Sequence, residues 1–137
     1  MSNQASSTQS ATAKPNIMLV DDDKFLLDMY ALKFTQAGFN VHAALSSADA
    51  LKALREGFKA DVILFDIIMP EGDGFFLLDT LKEEKLVPDA AKIALTNEMN
   101  EDEQKKITEL GATRFIVKAT MIPSEVVNSV TEVIRKK

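Results

Sequence analysis

From Asn16 onward, short apolar runs alternate with stretches in which apolar residues recur every three to four positions. The runs are Ile17-Met18-Leu19-Val20, the more alternating Phe39-Asn40-Val41-His42-Ala43, Val62-Ile63-Leu64-Phe65, Lys92-Ile93-Ala94-Leu95 and Arg114-Phe115-Ile116-Val117. An unbroken apolar run of this length suits a strand covered on both faces. Between and after them lie helical patterns. Leu26, Met29, Tyr30, Phe34 and Ala37 share a face and Gly38 offers a left-handed stop. Ser46-Ser47-Ala48-Asp49 reads as a helix start before Ala50, Leu51 and Leu54, with Gly57 as its stop. Phe75, Leu78 and Leu81 mark a third helix, after which Pro88 breaks the chain. Asn100 with Glu103 opens a fourth, carried by Ile107 and Leu110 and stopped at Gly111; Pro123 opens a fifth whose face is Val126, Val130, Val133 and Ile134.

Strict alternation of strand and helix predicts an α/β fold with a parallel sheet and helices on both faces. Right-handed crossovers leave few topologies. The second and fifth runs are the least apolar, which suits edge strands. The order 2-1-3-4-5 meets that condition and predicts a doubly wound, flavodoxin-like three-layer sandwich.

Composition narrows the chemistry. The chain has 137 residues, 46% of them hydrophobic, which suits one domain with a sizeable core. A net charge of −5 provides no basic field for phosphate backbones, so no direct nucleic-acid partner is expected. Cysteine is absent and His42 is the single histidine, which excludes a disulfide framework and a multi-His or thiolate zinc site within one chain. No apolar run approaches the roughly 20 residues that span a bilayer, and the expectation is a soluble, cytoplasmic protein with no membrane partner. Residues 1–14 are almost entirely Ser, Thr, Gln, Asn and Ala and read as a disordered tail, leaving 15–137 as the domain.

Ligands of such sheets sit outside the carboxyl ends of the strands, near the switch point between the first and third. The residues delivered there are Asp21 and Asp22, Asp66, Thr96 and Lys118. Singly, an acidic pair after a strand is usually a solvated loop, and a lone Lys or Thr means little. Arrival at successive strand ends is what makes the set specific. Crowded carboxylates raise one another's pKa unless a cation sits among them. A hard divalent ion such as Mg²⁺ resolves the repulsion, with Asp22 and Asp66 as direct ligands and Asp21 acting through water. Lys118 offers a compact positive charge to one phosphoryl oxygen and Thr96 a hydroxyl to another. Together these are the parts of phosphoryl transfer to a carboxylate nucleophile.

With those residues in place, the stretch from about Pro15 to Lys137 resembles a response-regulator receiver domain. Ile17 to Asp22 resembles the family's first strand and acidic pair. Asp66, followed by Met69-Pro70 and Gly72-Asp73-Gly74, resembles the phosphoacceptor and its loop. Thr96 stands at the family's switch hydroxyl and Lys118 at its lysine. The resemblance implies a switch of two-component or phosphorelay signalling that catalyses only its own phosphorylation and dephosphorylation. Asp66 would take a phosphoryl group from the phosphohistidine of a sensor kinase or a histidine phosphotransfer protein, with Mg²⁺ held by Asp22, Asp66 and the backbone carbonyl of Ile68. Thr96 would move toward that group, Phe115 would turn inward, and an unknown downstream protein would read the face of the fourth helix, fifth strand and fifth helix. The protein would be a monomer or a phosphorylation-linked dimer. No stretch resembles an output domain, so a single-domain receiver, stand-alone or excised, is expected.

Two positions depart from the family pattern. Ala119 stands where proline usually follows the lysine through a cis bond, and a cis bond before a non-proline residue costs about 2.5 to 4 kcal/mol. Asn97 stands where a small residue is usual. At the positions that tune dephosphorylation the chain has Ile68 and Glu98, and apolar Ile68 cannot orient water. The rival reading is a receiver-like interaction module that works without phosphorylation. The intact, mutually repelling acidic set weighs against it. A flavin protein would need a phosphate cradle after the first strand, where Asp21-Asp22-Asp23 would repel the phosphate.

Overall fold

The computed structural model describes residues 14–69, 72–97, 99–118 and 121–135. The expected tail therefore lies, through residue 13, outside the described residues, as do Glu98 and the expectation about the bond to Ala119. The elements run β1 (Asn16–Val20), α1 (Lys24–Gln36), β2 (Asn40–Ala44), α2 (Ser47–Arg55), β3 (Val62–Asp66), α3 (Gly74–Glu83), β4 (Ala91–Thr96), α4 (Glu101–Glu109), β5 (Arg114–Val117) and α5 (Pro123–Arg135). The strands form one parallel sheet in the order β2-β1-β3-β4-β5. This is the doubly wound topology expected from the alternation of patterns.

Local chemistry sets the helix limits. Asp23, Ser46, Asp73 and Asn100 are N-caps, each accepting a backbone N–H three residues on. Asn100 and Glu103 complete a capping box that satisfies two orphan donors at once. Gly38 and Gly57 follow α1 and α2 with φ of 95° and 110°, the left-handed conformation that releases a helix. Side chains of a strand point alternately to the two faces, and each face has its own core. Ile17 and Leu19, Val62 and Leu64, Ile93 and Leu95, and Ile116 pack with α1 and α5. Met18 and Val20, Ile63 and Phe65, and Ala94 pack with α2, α3 and α4.

Most of the expected helix faces are buried, with one shift. In α1 the buried residues are Leu27, Tyr30 and Phe34, whereas Leu26 and Met29 are half-buried and Ala37 is exposed. The helix thus turns its inner stripe toward Leu27 and leaves Leu26 and Met29 facing α5 and the carboxyl edge of the sheet.

Candidate functional site

Parallel pairing brings the strand ends to one edge of the sheet, in steps of a residue or two. Val20 pairs with Phe65 and Asp66 with Leu95, while Thr96 pairs with Val117. The next residue on β1, Asp21, is level with Asp66; Thr96 stands one residue and Lys118 two residues farther toward the same carboxyl edge, and the Lys118 side chain reaches both carboxylates. Asp21, Asp66 and Thr96 are buried, and Asp22 is exposed beside them.

One ammonium group links the two buried carboxylates. Lys118 Nζ lies 3.3 Å from Asp21 Oδ2 and 3.4 Å from Asp66 Oδ2. Asp66 Oδ1 faces the backbone N–H of Ile68 at 3.4 Å. Asp21 Oδ1 accepts the N–H of Asp23 at 2.9 Å, and Asp21's own N–H donates to the Ala44 carbonyl at 3.1 Å. Burial pushes the Asp66 carboxyl up and the Asp21 charge adds to it, while Lys118 and the Ile68 N–H oppose the rise. Burial works against the charge of Lys118, yet the Asp66 and Asp21 carboxylates outweigh it and push its ionisation up. The lysine is therefore held charged.

Carboxylate oxygens of Asp21, Asp22 and Asp66 all lie within 4.8 Å of one another. Opposite ligands of an octahedral Mg²⁺ stand about 4.2 Å apart, twice its usual bond length. A set confined within 4.8 Å is of the size of a single coordination shell. Both oxygens of Asp21 and both of Asp66 face a hydrogen-bond donor, those of Asp21 at 2.9 and 3.3 Å and those of Asp66 at 3.4 Å, so Asp66 is held less closely than Asp21. Hard carboxylate oxygens gathered in this way fit magnesium.

The remaining expected residues fall around this group. Ile68 follows β3 with its side chain 71% exposed. Phe115 is half-buried and packs with the α2, α3 and α4 core; it pairs with Ala94, and the pleat puts Thr96 on Ala94's side, so Thr96 and Phe115 share a face of the sheet. Asn97 is exposed and lines, with Lys118, Leu26, Met29, Tyr30 and Ile122, a cavity of about 540 Å³ between α1 and the start of α5. His42 sits on the edge strand β2 with its ring 5.2 Å from that of Phe58, away from the strand ends.

The family model described as "response regulator receiver domain" matches residues 17–131. The chain belongs to the response-regulator receiver family. Among curated relatives, this receiver is 30% identical over 112 residues to the response regulator SaeR of Staphylococcus aureus, covering 82% of this chain and 47% of SaeR. It is 28% identical over 121 residues to the transcriptional regulatory protein GltR of Pseudomonas aeruginosa, covering 88% of this chain and 49% of GltR. The receiver thus spans about half the length of these relatives. In fold it matches the chemotaxis protein CheY4 of Vibrio cholerae with a TM-score of 0.82 at 24% identity, covering 88% of this chain and 99% of CheY4. A receiver domain from Methanospirillum hungatei also gives 0.82 at 24% identity, covering 90% and 96%. No helix among the described residues of the receiver is long and apolar enough to cross a membrane.

Two residues of the site carried no sequence signal. Tyr30 is buried in the wall of the cavity beside Lys118; burial raises its pKa, Lys118 opposes the rise and Asp21 adds to it. Its helical spacing marked it only as core. Ser47 is fully buried and its hydroxyl donates to the Gly72 carbonyl at 2.8 Å. A contact across 25 residues has no local signature.

Proposed function

We propose that the receiver, taken as residues 15–137, is a phosphorylation-activated switch in which Asp66 accepts a phosphoryl group from the phosphohistidine of a sensor kinase or phosphotransfer protein. The observation that carries this reading is the convergence of the Asp66 carboxylate with Asp21, Asp22 and Lys118 at the carboxyl ends of three strands. An Asp66 oxygen attacks phosphorus in line, the P–N bond breaks, and the imidazole leaves with that electron pair as a neutral ring protonated on its other nitrogen. Asp66 must be ionised to attack, and the Lys118 charge supports that state against the effect of burial.

As the phosphoryl group arrives, Lys118 pairs with one of its oxygens and the Thr96 hydroxyl donates to another. A Mg²⁺ ion held by Asp22, Asp66 and the Ile68 carbonyl, with Asp21 acting through water, supplies charge neutralisation at the phosphoryl oxygens when bound. Thr96 and Phe115 lie on one face of the sheet, so a pull on Thr96 is felt where Phe115 packs. The face of α4, β5 and α5 is the surface a downstream protein reads. A cytoplasmic setting accords with this reading.

Exposed apolar side chains support a protein as phosphodonor. Phe25, Leu45, Ile68, Phe76 and Ile122 are exposed, and each lies in a loop or first helical turn that follows a strand end. An apolar rim of this kind suits association with a protein surface.

The test is intact-mass measurement of the chain with Mg²⁺ and either acetyl phosphate or a phosphorylated histidine phosphotransfer protein. One phosphoryl group is expected on the wild type and none on Asp66→Asn. A wild type that stays unmodified with both donors would replace this reading with that of an interaction module independent of phosphorylation.

A further inference from the structure

The junction between β2 and α2 touches both halves of the site. At its start the Ala44 carbonyl accepts the N–H of Asp21 at 3.1 Å. Three residues on, the Ser47 hydroxyl donates to the Gly72 carbonyl at 2.8 Å, in the loop that leads from Asp66 to α3. Ser47 is fully buried, so its hydroxyl depends on that carbonyl for a partner. Helix initiation does not require this hydroxyl. Ser46 next to it is the N-cap, accepting the Asp49 N–H at 3.1 Å.

Among the described residues, the loop is tied at Gly72 and Gly74. Gly72 has φ of 107°, and a Cβ built on it would lie 3.5 Å from the Ser47 Cβ. The Gly74 N–H donates to the Ile67 carbonyl at 2.8 Å, closing the loop at its far end. Within the loop, the N–H of Ile68 faces Asp66 Oδ1. Without the Ser47 bond, the Gly72 carbonyl would turn toward water, and the shift would reach Ile67 and Ile68 through Asp73 and the Gly74 N–H.

We propose that Ser47 is a positioning residue of the phosphoacceptor site: its bond to Gly72 holds the loop so that the Ile68 backbone faces Asp66. The inference rests on the reading of Asp66 as phosphoacceptor. Ser47 touches no reacting atom, and its effect passes through the loop backbone. Displacements of about 1 Å in a reacting site change rates by up to a hundredfold.

The test compares full-length Ser47→Ala with full-length Ser46→Ala, which removes the neighbouring hydroxyl and the helix cap but leaves the loop alone. Mg²⁺ affinity is read by titration calorimetry, and the rate of modification by acetyl phosphate at saturating Mg²⁺ by intact mass. Ser47→Ala is expected to weaken Mg²⁺ binding about threefold or more and to slow modification about tenfold. Ser46→Ala is expected to lower Tm similarly and keep both constants, and Ser47→Thr, which keeps the hydroxyl, to recover the rate. Should Ser47→Ala not fold at the assay temperature, Ser47→Cys, near-equal in volume and a weak donor, takes its place. Wild-type constants in the folded variant would reduce Ser47 to a structural role and overturn the proposal. If the wild type itself takes no phosphoryl group, the phosphoacceptor reading fails, and the Mg²⁺ comparison alone decides on Ser47.

Discussion

Asp21 and Asp66 share the ammonium group of Lys118, at 3.3 and 3.4 Å, in a place where all three side chains are nearly shut off from solvent. Breaking such a triad by removing the cation leaves two buried carboxylates facing one another, which is worse than never having assembled it.

Lys118→Ala is therefore expected to destabilise the fold by about 3 kcal/mol in metal-free buffer. A divalent ion can then supply the missing neutralisation. Thermal unfolding with and without Mg²⁺ checks this: the rise in Tm on adding Mg²⁺ should be larger in Lys118→Ala than in the wild type. Equal rises would show that ammonium and metal do not serve the same carboxylates.

Asp66→Asn should have the opposite sign. Burial raises the pKa of Asp66 in the fold, so the folded state holds this proton more tightly than the unfolded chain. Stability from the group is then fully present below about pH 4, the unfolded value, and is lost as pH rises through the folded value. At pH 7 the ionised carboxylate is a burden that Asn relieves. A gain on the order of 1 kcal/mol, or about 4 °C in Tm, is expected without metal. It should shrink as pH falls toward 4, and a constant gain would assign it to something other than charge.

Gly74→Ala tests how tightly α3 approaches the phosphoacceptor strand. A Cβ there would lie 2.9 Å from the Ile67 Cα and 3.0 Å from the Asp66 carbonyl oxygen, and backbone atoms cannot swing aside. A loss of about 1 to 3 kcal/mol in denaturant unfolding is expected, with slower phosphorylation because Asp66 itself must shift. Unchanged stability and rate would mean that α3 retreats freely.

Ile68, whose N–H faces Asp66 Oδ1, carries an exposed apolar side chain that cannot orient a hydrolytic water. Ile68→Asn is expected to shorten the lifetime of the phosphorylated form on the order of tenfold, below the usual range for a full general base. Loss of label over time after donor removal measures it, and a half-life close to the wild-type value would count against the idea.

The fold was legible because each local signal agreed with the others. Gly38, Gly57 and the Asn100 and Glu103 pair mark helix ends by their own chemistry, and the apolar runs say which strands are covered. Asp66 and Lys118 were legible for a related reason: in a parallel sheet every strand end points to the same edge, so polar residues just after apolar runs must meet. Ser47 and Gly74 were not legible, because their importance lies in distances to backbone atoms far along the chain or fixed only by packing. The helix face at Leu26 and Met29 was displaced by one residue, since several neighbouring apolar positions on α1 fit a helical stripe and only the packed sheet chooses among them.

Tyr30 is the chain's one tyrosine, and there is no tryptophan. Its phenol is buried near Lys118 and Asp21, so the tyrosine absorption band, which lies to longer wavelength than that of the eight phenylalanines, is a single optical probe beside the site. Burial and Asp21 together hold its ionisation above the ordinary value against the pull of Lys118. A cation that settles among the carboxylates should therefore draw the alkaline transition of the spectrum downward. The receiver can be watched loading its site without any dye or label.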